Sequence, residues 1–411
     1  MAKLRRLPMA SVSEPTRLLE PRERDLRAKP VLAVWELTLR CDLACEHCGS
    51  RAGRARQHEL DTAECLELAA RLIEIGVREV SLIGGEAYLH PGWLEVIRFL
   101  ASSGVQVAMV TGGYNFTSER ARAAKAAGLS GISVSIDGIG ATHDQLRGRE
   151  GSFERALTAL QVARDAGLVT SINSQFNRKN RDELEAVARL VHELGVRSWQ
   201  YSLTVAMGRA VDNWELLFQP YDLLEFLPRL AAVTDSIKSL GVRAYPGNNV
   251  GYFGPHEETF RGGMPRGHTQ GCAAGHRALG IEADGTLKGC PSLDTRNYGA
   301  GSLREHSLED LWQRSHVMQR TRDGAKLWGY CAECYYKSAC GAGCTWTSSV
   351  LFGKPGNNPY CHHRAEQLAA RGQMERLVRV APAPGEPFDT GRFELELVAL
   401  DPSVLPLRAS A

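Results

Sequence analysis

One stretch of the chain decides both its fold and its chemistry: Trp35-Glu36-Leu37-Thr38-Leu39-Arg40-Cys41-Asp42-Leu43-Ala44-Cys45-Glu46-His47-Cys48. An apolar, strand-like run from Val31 to Leu39 ends in three cysteines with C-x3-C-x2-C spacing. A cubane cluster of four irons usually takes four cysteines, so three thiolates on one loop leave one iron open to another molecule. A zinc site is the alternative, with His47 or His58 nearby as a further ligand.

Length and composition exclude several classes of protein. The chain has 411 residues, enough for two domains or for one large barrel with an addition. Its formal net charge is only +2, so the overall charge does not favour nucleic acid or an acidic membrane surface as a partner. The N-terminus carries no signal-peptide core, and no membrane span follows. Eleven cysteines, most of them in two clusters, indicate metal ligation in a reducing compartment, and we therefore expect a cytoplasmic protein.

Short β-branched runs alternate with amphipathic helices from Val31 onward, which predicts an α/β fold. Six strands are expected, at Val31–Leu39, Glu79–Ile83, Val105–Val110, Gly131–Ile136, Thr170–Asn173 and Ser198–Leu203. Helices are expected after a capping box at Asp61 and at Trp93–Ser103, Ser118–Ala127, Phe153–Ala166 and Asp182–Leu194. Strand–helix units in series mean a parallel sheet with right-handed crossovers, either a partial barrel or an open doubly wound sheet.

Unusual polar or glycine motifs follow four of these strands. They are the three cysteines, Gly84-Gly85-Glu86, Thr111-Gly112-Gly113 and Asp137-Gly138. In barrel folds the chemistry lies on the loops after the carboxyl ends of the strands, so all four motifs fall on one rim. Each motif alone has a simpler explanation as a turn or a cap, and Arg147 is either a surface arginine or a carboxylate clamp.

With these motifs in place, residues 31–205 resemble the radical SAM superfamily, whose fold is a partial (β/α)6 barrel. The resemblance implies a 4Fe–4S cluster on Cys41, Cys45 and Cys48 that binds S-adenosylmethionine (SAM). One electron then cleaves the sulfonium to methionine and a 5′-deoxyadenosyl radical, which abstracts hydrogen from the substrate. The resemblance further implies which residues contact SAM: His47 would contact the adenine, Gly84, Gly85 and Glu86 the methionine amino group, Ser135 the ribose and Arg147 the carboxylate. Thr111-Gly112-Gly113 departs from the family's usual Thr-Asn-Gly, so no role is transferred to it.

A second cysteine field extends from Cys272 to Cys361. Its spacing alone fits zinc or iron–sulfur ligation. The full pattern C, G-x4-C, C-x2-C-x5-C-x3-C, C resembles the SPASM extension of radical SAM enzymes over residues 272–365. That resemblance implies two auxiliary 4Fe–4S clusters, one on Cys272, Cys290 and Cys344 and one on Cys331, Cys334, Cys340 and Cys361. No further cysteine lies between Cys272 and Cys290, so the first auxiliary cluster has an open iron or another ligand, for which His276 is a candidate.

The expected organisation has five parts. Residues 1–30 form an N-terminal extension, 31–215 the radical SAM core, 216–271 a bridging region, 272–365 the SPASM domain and 366–411 a C-terminal helix and tail. Within the second half, Tyr245–Gly271 reads as loop, Leu308–Arg320 and His362–Leu377 as helices, and Phe393–Val398 as an alternating run.

Enzymes of this type mostly modify peptides, so the first hypothesis is a maturase that abstracts hydrogen from a ribosomally made peptide and forms a crosslink. No leader-binding domain precedes Val31, which implies a separate recognition protein or direct docking of the leader, and an electron donor of flavodoxin or ferredoxin type. Alternatives are a tetrapyrrole side-chain modifier, formylglycine generation on a sulfatase, and a zinc-binding scaffold without enzyme activity. The catalytic residues, the substrate and the general base are not readable from the sequence.

Overall fold

A computed structural model describes residues 28–251, 253–261 and 272–404. The described chain forms a ten-stranded sheet from β1 to β10 and a two-stranded sheet from β11 and β12. The strands are β1 (Leu32–Thr38), β2 (Glu79–Gly84), β3 (Gln106–Thr111), β4 (Gly131–Ser135), β5 (Val169–Phe176), β6 (Ser198–Leu203), β7 (Arg243–Pro246), β8 (Ala278–Ile281), β9 (Thr286–Lys288), β10 (Gly299–Ser302), β11 (Gln373–Ala381) and β12 (Arg392–Ala399). Most of the predicted N-terminal extension, part of the bridging region and the end of the tail lie outside the described residues.

The helices separate the strands. They are α1 (Thr62–Glu74), α2 (Trp93–Ser102), α3 (Ser118–Ala127), α4 (Ala141–Arg147), α5 (Ser152–Asp165), α6 (Leu184–Glu193), α7 (Arg209–Asp212), α8 (Leu223–Ser239), α9 (Glu257–Arg261), α10 (Thr295–Tyr298), α11 (Leu308–Arg314), α12 (His316–Asp323), α13 (Tyr330–Glu333), α14 (Lys337–Cys340), α15 (Thr345–Phe352) and α16 (His362–Ala369). Within the described parts of the chain, none of these helices is long and apolar enough to cross a membrane.

The first seven strands are parallel and adjacent in chain order, which confirms the predicted partial barrel of radical SAM type. Residues of alternating position, such as Ala33, Trp35 and Leu37 in β1, are buried in the core beneath the helices. The predicted capping box at Asp61 is present and begins α1. All six predicted strands form, and β7 is an additional parallel strand that the loop prediction beginning at Tyr245 missed.

The cysteine-rich domain continues the same sheet. β8 pairs in parallel with β1, with Leu32 opposite Ala278 and Trp35 opposite Ile281. β9 and β10 then add in antiparallel order, and Gly285 has φ +87°, as the tight Asp284-Gly285 turn between β8 and β9 requires. This strand pairing brings the second cysteine field to the side of the barrel that carries Cys41.

Two helix predictions in the second half were wrong in extent. The helix expected at Leu308–Arg320 is broken at Ser315, whose extended backbone caps a second helix. The helix expected at His362–Leu377 ends at Ala369, and the chain continues as β11. Gly372 adopts a left-handed backbone conformation, which ends the helix. The residues that follow it then pair along β11 with the distant strand β12. The alternating run at Phe393–Val398 is confirmed as part of β12.

Candidate functional site

The loop that carries the first three cysteines is held at its start, its middle and its end. At the start, the N–H of Cys41 donates to the carbonyl of Gly53 at 3.1 Å. In the middle, the N–H of Glu46 donates to Leu146 in α4 at 2.8 Å, and at the end the Cys48 carbonyl accepts from the N–H of Arg209 in α7 at 2.9 Å. The loop is therefore fixed by the ends of several elements of the barrel rather than by its own short sequence.

Each of these three thiols has a hydrogen-bond donor. The N–H of Leu43 lies 3.4 Å from the Cys41 sulfur, and the N–H of Ala52 lies 3.4 Å from the Cys48 sulfur. The Arg147 guanidinium lies 3.7 Å from the Cys45 sulfur. Donors aimed at sulfur stabilise thiolates and are a known control on the potential of iron–sulfur clusters. Burial raises the pKa of Cys45 to about 11 although Arg147 opposes the rise, so a metal is needed to hold this thiol ionised.

Glu86 is the centre of the second part of the site. Its two carboxylate oxygens accept from the Thr111 hydroxyl at 2.5 Å and from the N–H of Gly112 at 2.6 Å. Burial raises the pKa of Glu86 to about 8, and the nearby Asp42 carboxylate raises it further against these two hydrogen bonds. The Thr111-Gly112 pair, to which the sequence analysis gave no role, thus orients the carboxylate of the Gly-Gly-Glu motif.

Two glycines are required by close approach of the chain. A Cβ at Gly85 would overlap the carbonyl of Arg40, because the N–H of Gly85 donates to the Thr38 carbonyl at 2.9 Å. A Cβ at Gly112 would overlap the Leu43 side chain and lie 3.0 Å from a Glu86 oxygen. Both glycines therefore let the strand ends pack against the cysteine loop.

The side chains of His47, Asp137 and Arg147 form a buried polar cluster beneath the loop. The Nε2 of His47 lies 2.9 Å from Asp137 Oδ2, which also pairs with the Arg147 guanidinium. Burial alone would raise the pKa of Asp137, but Arg147 and His47 together hold it well below its usual range. Asp137 also accepts from the N–H of Gln175 at 2.7 Å. The structure thus joins the predicted His47 and Arg147 through Asp137, a residue that the sequence pattern explains equally well as a cap.

The inner face of the barrel is lined by neutral hydrogen-bonding side chains along β4, β5 and β6. Pairing of the strands aligns them in three rows: Ser133–Ser171–Ser198, Ser135–Asn173–Gln200 and Gln175–Ser202. All eight are partly exposed, whereas the residues between them are buried towards the helices. The predicted SAM contact Ser135 is one of these, at the carboxyl end of β4.

Several buried polar atoms of the described site have no hydrogen-bond partner, among them Asp42 Oδ1, His47 Nδ1 and Arg147 Nε. The other oxygen of Asp42 accepts from the Tyr88 hydroxyl at 2.9 Å and from the Asn115 amide at 2.7 Å. Buried polar groups are normally satisfied, so unpaired ones beside three thiols suit a site that takes a polar ligand. Three thiols, a buried carboxylate and unpaired polar atoms fit a cluster with an open iron and a zwitterionic cofactor.

The later cysteines fall into two spatial groups. In the first, burial raises the pKa of Cys290 to about 12, and the neighbouring thiols of Cys272 and Cys344 raise it further. In the second, burial raises the pKa of Cys340 to about 12, with further contributions from Cys331 and Cys334.

Cys361 belongs to the second group. Its pKa lies well above the ordinary value because of burial and of the thiols of Cys340, Cys331 and Cys334. The two groups match the two predicted ligand sets, although they interleave in sequence. The candidate ligand His276 lies in the turn before β8 with an exposed side chain.

Comparison with protein families identifies two matches. Residues 35–191 match the model of the radical SAM superfamily, and residues 272–335 match the SPASM iron–sulfur cluster-binding domain.

Relatives of known name cover most of the chain. The AdoMet-dependent heme synthase of Methanosarcina barkeri is 30% identical over 348 residues, which are 82% of this chain and 97% of that protein. The mycofactocin maturase MftC of Mycolicibacterium smegmatis is 29% identical over 86% of this chain and 88% of that protein. The sporulation killing factor maturation protein SkfB of Bacillus subtilis is 26% identical over 71% of this chain and 66% of that protein.

Solved structures share the fold at low sequence identity. SuiB of Streptococcus suis, in complex with S-adenosylmethionine, superposes with a TM-score of 0.63 at 14% identity over 81% of this chain and 76% of that chain. The protein anSMEcpe, with bound AdoMet, has a TM-score of 0.62 at 16% identity over 82% of this chain and 95% of that chain.

Proposed function

Because the chain belongs to the radical SAM superfamily and carries a SPASM domain, it is an enzyme that uses iron–sulfur clusters and SAM, and we propose that its substrate is a ribosomally made precursor peptide. Cys41, Cys45 and Cys48 would hold the radical cluster, and Glu86, with His47, Ser135 and Arg147, would contact SAM. The bound cluster and SAM together supply a radical that abstracts hydrogen from a carbon atom of the substrate. Two auxiliary clusters on the two later thiol groups bring the proposed total to three.

The observation that carries this substrate class is the lining of the barrel along β4, β5 and β6. Ser, Asn and Gln side chains in three aligned rows offer both donors and acceptors to an uncharged partner such as a peptide backbone. Ser171 and Ser198 already share a hydrogen bond at 2.8 Å across β5 and β6, and a peptide amide can replace it. Maturases among the named relatives, MftC and SkfB, support the same class of substrate.

A tetrapyrrole is the second candidate, because the relative that is 30% identical is named a heme synthase. Tetrapyrrole carboxylates call for arginine or lysine at the substrate face. None of the eight inward residues of β4, β5 and β6 carries a charge. That lining favours a peptide substrate.

The proposal also includes a separate leader-recognition protein, an electron-donor protein and a cytoplasmic location.

The test uses anaerobically reconstituted enzyme with SAM, a strong reductant and the precursor peptide encoded beside its gene. We expect 5′-deoxyadenosine to form and the peptide to lose hydrogen by mass, as a crosslink requires. The variant with Cys41, Cys45 and Cys48 all changed to Ala is the control and should leave the peptide unchanged. If the peptide stays unaltered and an iron porphyrin supplied in its place loses carboxyl groups, the substrate is a tetrapyrrole and the peptide proposal is wrong.

A further inference from the structure

The turn between β11 and β12, residues Gly385–Gly391, leaves its hairpin and packs against the barrel. Thr390 forms an isolated antiparallel bridge with Met207, just after β6, and the Asp389 carbonyl accepts from the N–H of Gly208 at 2.9 Å. Asp389 also closes the turn itself, because its Oδ2 accepts from the N–H groups of Gly385 at 2.6 Å and Glu386 at 3.0 Å. The turn is thus a preformed unit docked beside the cysteine loop.

Asp389 binds an arginine that follows the third cysteine. Arg51 reaches Asp389 with two nitrogens, Nε to Oδ1 at 3.1 Å and one terminal nitrogen to Oδ2 at 3.2 Å. Asp389 is only 8% exposed, so this two-pronged pair is shielded from water. Arg51 has φ +54°, a left-handed conformation that costs a non-glycine residue energy and persists only where the surroundings enforce it. Asp389, with Asp212 of α7, supplies that enforcement.

The conformation of Arg51 determines a hydrogen bond to the cysteine sulfur. The N–H of Arg51 donates to the Cys48 carbonyl at 3.3 Å, and the next N–H, that of Ala52, lies 3.4 Å from the Cys48 sulfur. Hydrogen bonds to ligand sulfurs set the reduction potential of an iron–sulfur cluster, since they stabilise the more negative, reduced state. A shift of Arg51 would therefore alter the donor at Cys48.

Phe388, the neighbour of Asp389, extends the contact to the second cysteine field. It too is left-handed, at φ +56°, and its ring lies 5.1 Å from the Arg56 guanidinium and 4.0 Å from the Lys288 ammonium. Lys288 is fully buried in β9, two residues before Cys290, and its Nζ lies 2.6 Å from Glu282. One turn thus contacts the segment after Cys48 and the segment before Cys290.

We propose that the turn Gly385–Gly391 is a positioning element of the radical cluster, in which Asp389 holds Arg51 so that the N–H of Ala52 stays directed at the Cys48 sulfur. This inference rests on the proposed ligand role of Cys48, and Asp389 itself touches neither cluster nor substrate. Loss of the Asp389–Arg51 pair should lower the reduction potential of that cluster and slow reductive cleavage of SAM roughly three- to tenfold, the effect expected for loss of one hydrogen bond.

The experiment is a redox titration followed by electron paramagnetic resonance on the full reconstituted chain. The spectrum of the variant with Cys41, Cys45 and Cys48 changed to Ala is subtracted to isolate the radical cluster. Asp389→Asn and Arg51→Lys are compared with the parent, because each removes the two-pronged pair while keeping a similar side chain. Glu386→Gln is the matched control, since this carboxylate of the same turn is mostly exposed and lies 3.5 Å from the exposed Arg296.

We expect Asp389→Asn and Arg51→Lys to shift the midpoint potential to more negative values with full iron content, and Glu386→Gln to match the parent. If Asp389→Asn loses its auxiliary clusters as well, it has failed to fold and Arg51→Lys decides. Parent-like potentials in a folded variant would overturn the positioning role. Absence of a radical cluster in the parent would instead overturn the proposed function, so the two failures are distinguishable.

Discussion

The two cysteine regions of the molecule bring their thiols together in opposite ways. The first places three thiols on one loop after β1, held by the ends of the barrel elements. The second collects seven thiols from Cys272 to Cys361, and its two groups interleave, because Cys344 joins Cys272 and Cys290 while Cys340 and Cys361 join the other group. The first site takes its thiols from one short segment that barrel elements hold in place, whereas the second takes its thiols from segments that are distant in the sequence.

The supporting elements differ as well. The first loop rests on strands and helices with a continuous core, whereas α13 and α14 in the second region have four residues each. Isolated helices of that length have no stability of their own in water. Where ligands are assembled by short elements, the free energy of metal binding contributes to folding. The clusters should therefore be structural supports of the SPASM region but not of the barrel.

The largest expected effect is at the first loop. Changing Cys41, Cys45 and Cys48 to Ala should remove about four irons per chain and abolish SAM cleavage, while the barrel stays folded. Iron, sulfide and 5′-deoxyadenosine analyses measure this, with Cys65→Ala as control, since Cys65 is fully buried beside His90. A parent value near twelve irons supports three clusters, and a value near eight means that the first auxiliary site is empty. Zinc without iron would contradict the radical enzyme.

A smaller and more local effect is expected at the second thiol group. Cys361→Ala should also cost about four irons, but SAM cleavage should persist because the first loop is untouched. Amide hydrogen exchange should accelerate across Tyr330–Cys340 and remain slow in β1 to β6. Unchanged exchange in α13 and α14 after the loss of iron would show that the SPASM region, like the barrel, folds without its cluster.

The smallest expected effect concerns the pH dependence of stability through Glu86. Its pKa rises from about 4.5 to about 8 on folding, so between these values the folded protein holds a proton that the unfolded chain has lost. The free energy of unfolding should therefore fall as pH rises through that window and level off above it. Urea unfolding of SAM-free protein at several pH values measures this slope, and Glu86→Gln should flatten it. If the free energy of unfolding has the same slope against pH in the parent and in Glu86→Gln, a group other than Glu86 titrates in this window.

Part of the structure was readable because it rests on local pattern. The alternation of β-branched runs with amphipathic helices predicted the six strands. The position of each motif directly after a strand predicted that Glu86 and Cys41 lie on the same rim of the barrel. The helix prediction past Ala369 failed because the partner of β11 lies beyond a ten-residue connection. The role of Thr111 and Gly112 was missed because only the folded chain shows which carboxylate they bind.

The sequence by itself determined the parallel strand–helix order, the thiol-rich chemistry and the motifs that carry the family resemblance, because strand periodicity and cysteine spacing are properties of neighbouring residues. Only the tertiary structure decided that Asp137 joins His47 to Arg147, that neutral side chains form rows inside the barrel, and that Asp389 reaches Arg51. These contacts link residues far apart in the chain. Their energies depend on burial and distance, and neither quantity exists until the chain is folded.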